Sequence, residues 1–179
     1  MRGVLVGRFQ PFHLGHLEVV RALRHDVPER ELLLVIGSAQ ESYTWENPFT
    51  SGERFEMIAR ALAEARLDRV TIVPAADVRR HALWVAHLVG LLPPFETVYT
   101  NNPLTRLLFE RAGFPVESPK MVDRTSYEGA AIRERLASGE DVRELLPPAV
   151  TTYLEEIGAA SRLRLLKPER PGPGGATFP

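Results

Sequence analysis

The 179-residue chain has no cysteine, which removes disulfides, thiolate nucleophiles and cysteine-ligated zinc together. It also lacks any apolar run near the ~20 residues that a membrane-spanning helix needs. The N-terminus MRGVLVGRFQPF has neither the apolar stretch nor the cleavage-site pattern of a signal peptide. Charge of one sign is not in excess, with 22 Lys and Arg against 23 Asp and Glu. No global field therefore draws the chain to nucleic acid or an anionic membrane. Lysine is confined to Lys120 and Lys167, a bias that reads as codon usage or growth temperature and suits arginine ion-pair networks. The expectation is a cytoplasmic protein with no nucleic acid and no membrane as partner.

What is present is the composition of an ordinary globular domain, 44% hydrophobic and 25% charged, in a length that buries one proper core. Val4 to Val6, Leu32 to Ile36, Val70 to Val73 and Thr97 to Tyr99 read as strands. Between them, helical patterns begin near His16 and span Glu53 to Ala65, Ala82 to Leu91 and Pro103 to Arg111, the last ended by Gly113. Thr50 and Glu53 have capping-box spacing, and Phe55, Ile58, Ala59 and Leu62 are expected to form that helix's buried face. Strands separated by helices predict an α/β fold, a Rossmann-like doubly wound parallel sheet with C-terminal helices from Glu128 to about Ala137 and from Pro148. Residues 168–179 are rich in Pro and Gly and read as a mobile tail. Ligands of such sheets sit at the carboxyl ends of strands. That rule directs attention to residues 7–16, 37–52, 74–81 and 100–103.

The first of these loops is the most informative, reading Gly7-Arg8-Phe9-Gln10-Pro11-Phe12-His13-Leu14-Gly15-His16. His13 and His16 share one face of a starting helix, and Gly15 between them is expected to leave room for a phosphate against backbone. The helix N-terminus adds partial positive charge, and Arg8 offers a planar donor. An isolated H-x-x-H is more often surface or core polar structure, and without a nearby Asp, Glu or Cys it makes a poor zinc site. A second basic stretch runs from Arg124 through Thr125 and Glu128, at capping-box spacing, to Arg133. Alone, Arg133 would pass for a solvated arginine.

Here a resemblance enters. HLGH at 13–16 resembles the H-x-G-H signature of the nucleotidyltransferase superfamily, in which the histidines contact ATP phosphates. Gly37-Ser38-Ala39-Gln40, Asn47-Pro48-Phe49-Thr50, Gly52-Glu53-Arg54, Ala82-Leu83-Trp84-Val85, Pro93-Pro94-Phe95 and Asn102-Pro103-Leu104 extend it over roughly residues 3–157. The whole is similar to the archaeal-type nicotinamide-nucleotide adenylyltransferases. The resemblance implies a nucleotidyltransferase domain over 1–157, followed by a C-terminal extension at 158–179. It implies ATP binding by Gly7, Arg8, Phe9, His13, Gly15, His16, Tyr127, Gly129, Ile132 and Arg133, with Arg8, His13, His16 and Arg133 catalytic. Ser38, His81, Trp84 and Asn102 are implied for the nicotinamide nucleotide. Trp84 alone would be counted as core, and Glu53 with Arg54 as a charged helix face.

Two departures stand out: Glu128-Gly129-Ala130 replaces the family's Ser-Gly-Thr, and His81 stands where asparagine precedes Ala-Leu-Trp. The resemblance further implies ATP and nicotinamide mononucleotide as partners, magnesium carried with ATP, no protein-held metal, and a homo-oligomer, the family's common form being a hexamer. Two other functions stay open. One is transfer of an adenylyl or cytidylyl group to another small phosphate, such as flavin mononucleotide or phosphopantetheine. The other is a module that binds NAD or ATP without turnover.

Overall fold

A computed structural model describes residues 1–78, 80–119 and 127–168. Five parallel strands lie in the order β3-β2-β1-β4-β5: β1 (Arg2–Gly7), β2 (Glu31–Ile36), β3 (Val70–Pro74), β4 (Thr97–Tyr99) and β5 (Val116–Glu117). The chain starts in the middle of the sheet, winds outward to β3, then returns past β1 to β4. Strand order thus reverses between β1 and β4, and the crevice at their carboxyl ends is where such sheets take ligands.

Side-chain alternation sorts the core into two layers. Leu5, Leu32, Leu34 and Ile36 face one side, covered by α1 (Leu14–Asp26), α2 (Ser51–Glu64), α5 (Gly129–Ser138), α6 (Pro148–Glu156) and α7 (Ala159–Leu166). Val4, Leu33, Val35 and Val98 face the other, under α3 (His81–Leu91) and α4 (Pro103–Arg111). Phe12 and Phe49, both fully buried, carry the two ligand-side loops into the first layer, each side chain contributing about 2 kcal/mol of burial. Among the described residues no helix is long and apolar enough to cross a membrane.

The expected Thr50–Glu53 capping box is present in both directions at the start of α2. The buried face of that helix, however, is Arg54, Met57, Ile58, Ala61 and Leu62. Phe55 is exposed and Ala59 only partly covered, so the face is turned by one residue from the expected one, with an arginine at its centre. At α5 the cap is Glu128, without a side-chain bond. Glu128 is thus the cap itself and not the third helical residue; Thr125 lies outside the described residues, as does the expected tail at 169–179. The extension expected from 158 contains α7, whose Ala159 and Leu163 are buried in the same core.

Candidate active site

His13 is the N-cap of α1, and it caps in an unusual way. Its Nδ1 accepts the backbone N–H of His16 at 3.3 Å, while Nδ1 of His16 accepts the backbone N–H of His13 at 3.3 Å. A ring nitrogen that accepts carries no proton, so the hydrogen of each neutral imidazole is on Nε2, on the far side of the ring. The two rings stack with centroids 3.5 Å apart. Burial pushes the His13 imidazolium down to about 4. Burial, with His13 as a second cause, holds His16 well below its ordinary value. Both are therefore neutral near pH 7, each with one outward donor.

The two glycines of this loop are closely approached by aromatic side chains. A Cβ on Gly15 would lie 2.8 Å from Tyr127 Cβ, and one on Gly7 would lie 2.6 Å from the Phe9 ring. Gly15 thus makes room for Tyr127, whose ring lies parallel to His13. Phe9 itself has φ 52°, a conformation side chains rarely take outside constrained sites. Its ring meets His16 edge-on at 4.9 Å.

Arg54 is fully buried and ties the ligand-side loops together. Its guanidinium donates to the carbonyls of Gly37 (2.8 Å), Arg8 (3.0 Å), Ser38 (3.0 Å) and Thr50 (3.3 Å). Burial pushes its pKa down to about 10, with Asp77 opposing and Arg8 adding to the shift. Arg133, also buried, donates from Nη1 to the carbonyl of Gln10 at 2.8 Å. Its pKa is lowered by burial and by Arg8, with Glu46 opposing. Arg8 therefore acts on both of the other guanidiniums, and among the described residues none of the three forms a salt bridge. Guanidiniums with no paired carboxylate among the described residues, on the loops that also carry two neutral N–H donors, suit an anion.

The remaining expected residues are divided between the two faces of the sheet and the loops that follow its strands. Ser38 follows β2 with φ 49° and donates from Oγ to Asp77 at 2.6 Å. His81 opens α3 and is exposed. Trp84 packs edge-on against Phe109 at 5.5 Å, partly within the second core layer. Asn102 caps α4 by accepting the N–H of Thr105. Ile132 is fully buried and its N–H is bonded to Glu128, so it anchors Arg133 in the core. Gly129 sits with its Cβ direction 3.1 Å from the Gln10 carbonyl. Among the described residues no three His, Asp or Glu side chains gather to hold a metal.

A family model for cytidylyltransferase-like proteins matches residues 4–135. A nicotinamide-nucleotide adenylyltransferase of Archaeoglobus fulgidus is 48% identical over 169 residues, covering 92% of this chain and 96% of the relative. The chain belongs to the nicotinamide-nucleotide adenylyltransferase family. A second member, from Methanolobus tindarius, is 44% identical over 91% of this chain and 92% of its own length. The fold agrees with a Francisella tularensis bifunctional NMN adenylyltransferase/ADP ribose pyrophosphatase crystallised with AMP and a manganese ion. That match has a TM-score of 0.75 at 19% identity, covering 92% of this chain and 51% of that one. The chain thus spans about half the length of that two-function protein.

Within this adenylyltransferase, the structure adds to the histidines and Arg133 the loop-bridging contacts of Gln10, Arg54 and Asp77, to which the sequence alone assigns no role. Taken alone, Arg54 reads as part of a charged face, because its partners are carbonyls of distant loops. Only its place in the turned helical face could have shown it.

Proposed function

We propose that the chain joins ATP to nicotinamide mononucleotide, giving NAD and pyrophosphate. An oxygen of the mononucleotide's 5'-phosphate attacks the α-phosphorus of ATP. The bond from that phosphorus to the α,β-bridging oxygen breaks, and its electron pair leaves with pyrophosphate. The attacking oxygen is already an anion, so no protein nucleophile or base is needed. The chain's contribution is to hold two phosphates in register and to spread the charge that builds on the leaving group. The observation that carries this reading is the pair of reciprocally capped histidines, whose Nε2–H donors are left free of the cap, on the same loop as Arg8 and as the Gln10 carbonyl that holds Arg133. Glu128 and Ala130 leave this donor set intact, since neither belongs to it.

The basic lining fits the triphosphate and offers a cation no ligand, and among the described residues no cluster would hold a metal, so the divalent ion, proposed as magnesium, would come on the triphosphate oxygens. It would screen the triphosphate oxygens when bound. Ser38, His81, Trp84 and Asn102 are proposed to take the nicotinamide end. A cytoplasmic location, where soluble substrates of this kind are met, belongs to the same proposal. Five aliphatic side chains exposed by 44–54% on α3 and α4, Leu83, Val89, Leu91, Leu104 and Leu107, support self-association. A solution mass of one chain, by light scattering at micromolar concentration, would remove the oligomer from this proposal.

The test is incubation with ATP, magnesium and a panel of phosphates, reading pyrophosphate and the coupled product. NAD from nicotinamide mononucleotide is expected. Product only from flavin mononucleotide or phosphopantetheine would move the reading to another transferase, and binding without turnover would move it to a sensor.

A further inference from the structure

Gln10 sits between the two histidines and Arg8 in sequence, and its side chain is bonded to another loop. It is 5% exposed, and its amide pairs with one residue of another loop: Nε2 donates to the Phe49 carbonyl and Oε1 accepts the Phe49 N–H, each at 3.0 Å. This is a two-bond clasp of the kind that joins neighbouring strands, and an amide is the neutral side chain that supplies both halves. The backbone carbonyl of the same residue accepts Arg133 at 2.8 Å. Gly129, at the first turn of α5, lies against that carbonyl, where a Cβ would come within 3.1 Å. Phe49 is fully buried and next to Thr50, which caps α2. One residue thus joins the loop after β1, the loop after β2 and the arginine of α5.

Resting on the adenylyl-transfer reading, we infer that Gln10 is a positioning residue that sets the direction of the Arg133 guanidinium toward the phosphates through the clasp on Phe49. It touches neither substrate. Its side chain fixes the plane of its own peptide, and that plane fixes where Arg133 is held. Arg133 is nearly enclosed, so a displaced peptide carbonyl would turn the planar fork away from the geometry that grips phosphate oxygens.

The test is a double-substitution cycle. Gln10→Met keeps the length and removes both bonds, and Gln10→Glu keeps the shape and the acceptor for the Phe49 N–H. In the native background Gln10→Met should lower kcat by about tenfold. In an Arg133→Met background the same change should cost less than about twofold, because the group through which it acts is gone. Gln10→Glu should fall between native and Gln10→Met, with KM for nicotinamide mononucleotide changed less than kcat. If Gln10→Met fails to fold, the same cycle is run with Gln10→Glu. An equal loss from the Gln10 change in both backgrounds makes Gln10 a packing residue and overturns the inference. A native protein that makes no NAD overturns the reading of the reaction instead, so the two failures are distinct.

Discussion

At the scale of single residues, the site turns on which nitrogen of each histidine is occupied. A histidine three residues from another at a helix start is visible in sequence, and so is the phosphate chemistry that neutral donors and arginines can perform. The reciprocal cap is not visible, because it needs both rings to turn inward on backbone N–H groups. It changes the outcome expected of His16→Ala, which removes an Nε2–H donor and the acceptor of the His13 N–H together. The rate of NAD formation should fall at least roughly tenfold, a loss of about 1.4 kcal/mol in the transition state. The variant should also lose about 1 kcal/mol of stability with the cap, seen as a fall of a few degrees in Tm. Full turnover at saturating ATP would end the phosphate role of His16. His81 poses the converse case, an exposed side chain at the first position of α3 with no bond recorded among the described residues. An asparagine there offers donor and acceptor to a carboxamide, whereas imidazolium offers two donors and a charge that suit a carboxylate. His81→Asn should lower the kcat/KM ratio of nicotinate to nicotinamide mononucleotide. An unchanged ratio would take His81 out of substrate choice.

At the scale of elements, helices with a cap and a periodic face were legible, and contacts made by distant partners were not. Pro103–Arg111 and the Pro148 start follow from local chemistry alone. The face of α2 was misplaced by one residue because the hydrophobic pattern alone does not admit a buried arginine that bonds loop carbonyls. Residues of α7 alternate apolar and charged without a boundary signal after Gly158, so the helix appears only once its packing on α5 and α6 is known. That helix reaches the ligand edge through Arg162, which grips both oxygens of Glu53 at 2.7 Å, donates to the Pro48 carbonyl and lies 5.1 Å over the Tyr43 ring. Burial alone would raise the Glu53 pKa, yet Arg162 and the Thr50 N–H hold it low. Arg162→Met should therefore cost about 2 kcal/mol, as expected for a half-buried bidentate pair, and free the segment 43–49. The check is limited proteolysis with KM for ATP: faster cleavage within 43–49 and a higher KM are expected, and native values for both would detach α7 from the site.

At the scale of the whole molecule, alternation of strands and helices makes the doubly wound parallel sheet and its ligand edge readable, while the two-residue β5 at the sheet's edge does not follow from local pattern. The sheet brings the loops after β1 and β2 beside α5, and this convergence encloses the two histidines. Enclosure has a thermodynamic consequence for the entire fold. The folded-state pKa of His13 is about 4 against 6.5 in a solvated chain, and that of His16 is lowered in the same sense. Between those values the unfolded chain binds more protons, so acid favours unfolding. The stabilising contribution is complete above pH 6.5 and is lost as pH falls toward the folded-state values. Each histidine adds a slope of about 1.4 kcal/mol per pH unit at most. Carboxylates held low, such as Glu31 and Glu53, start from 4.5 and act only further into acid. The interval from pH 6.5 to about 5 therefore belongs to the buried histidines. Without nucleotide, Tm should decline across it, and His13→Asn should flatten the decline, since an asparagine accepts the His16 N–H and does not titrate. Thermal melts of the native protein and the variant over this range decide the matter: parallel curves would show that the capped histidines do not govern stability in mild acid.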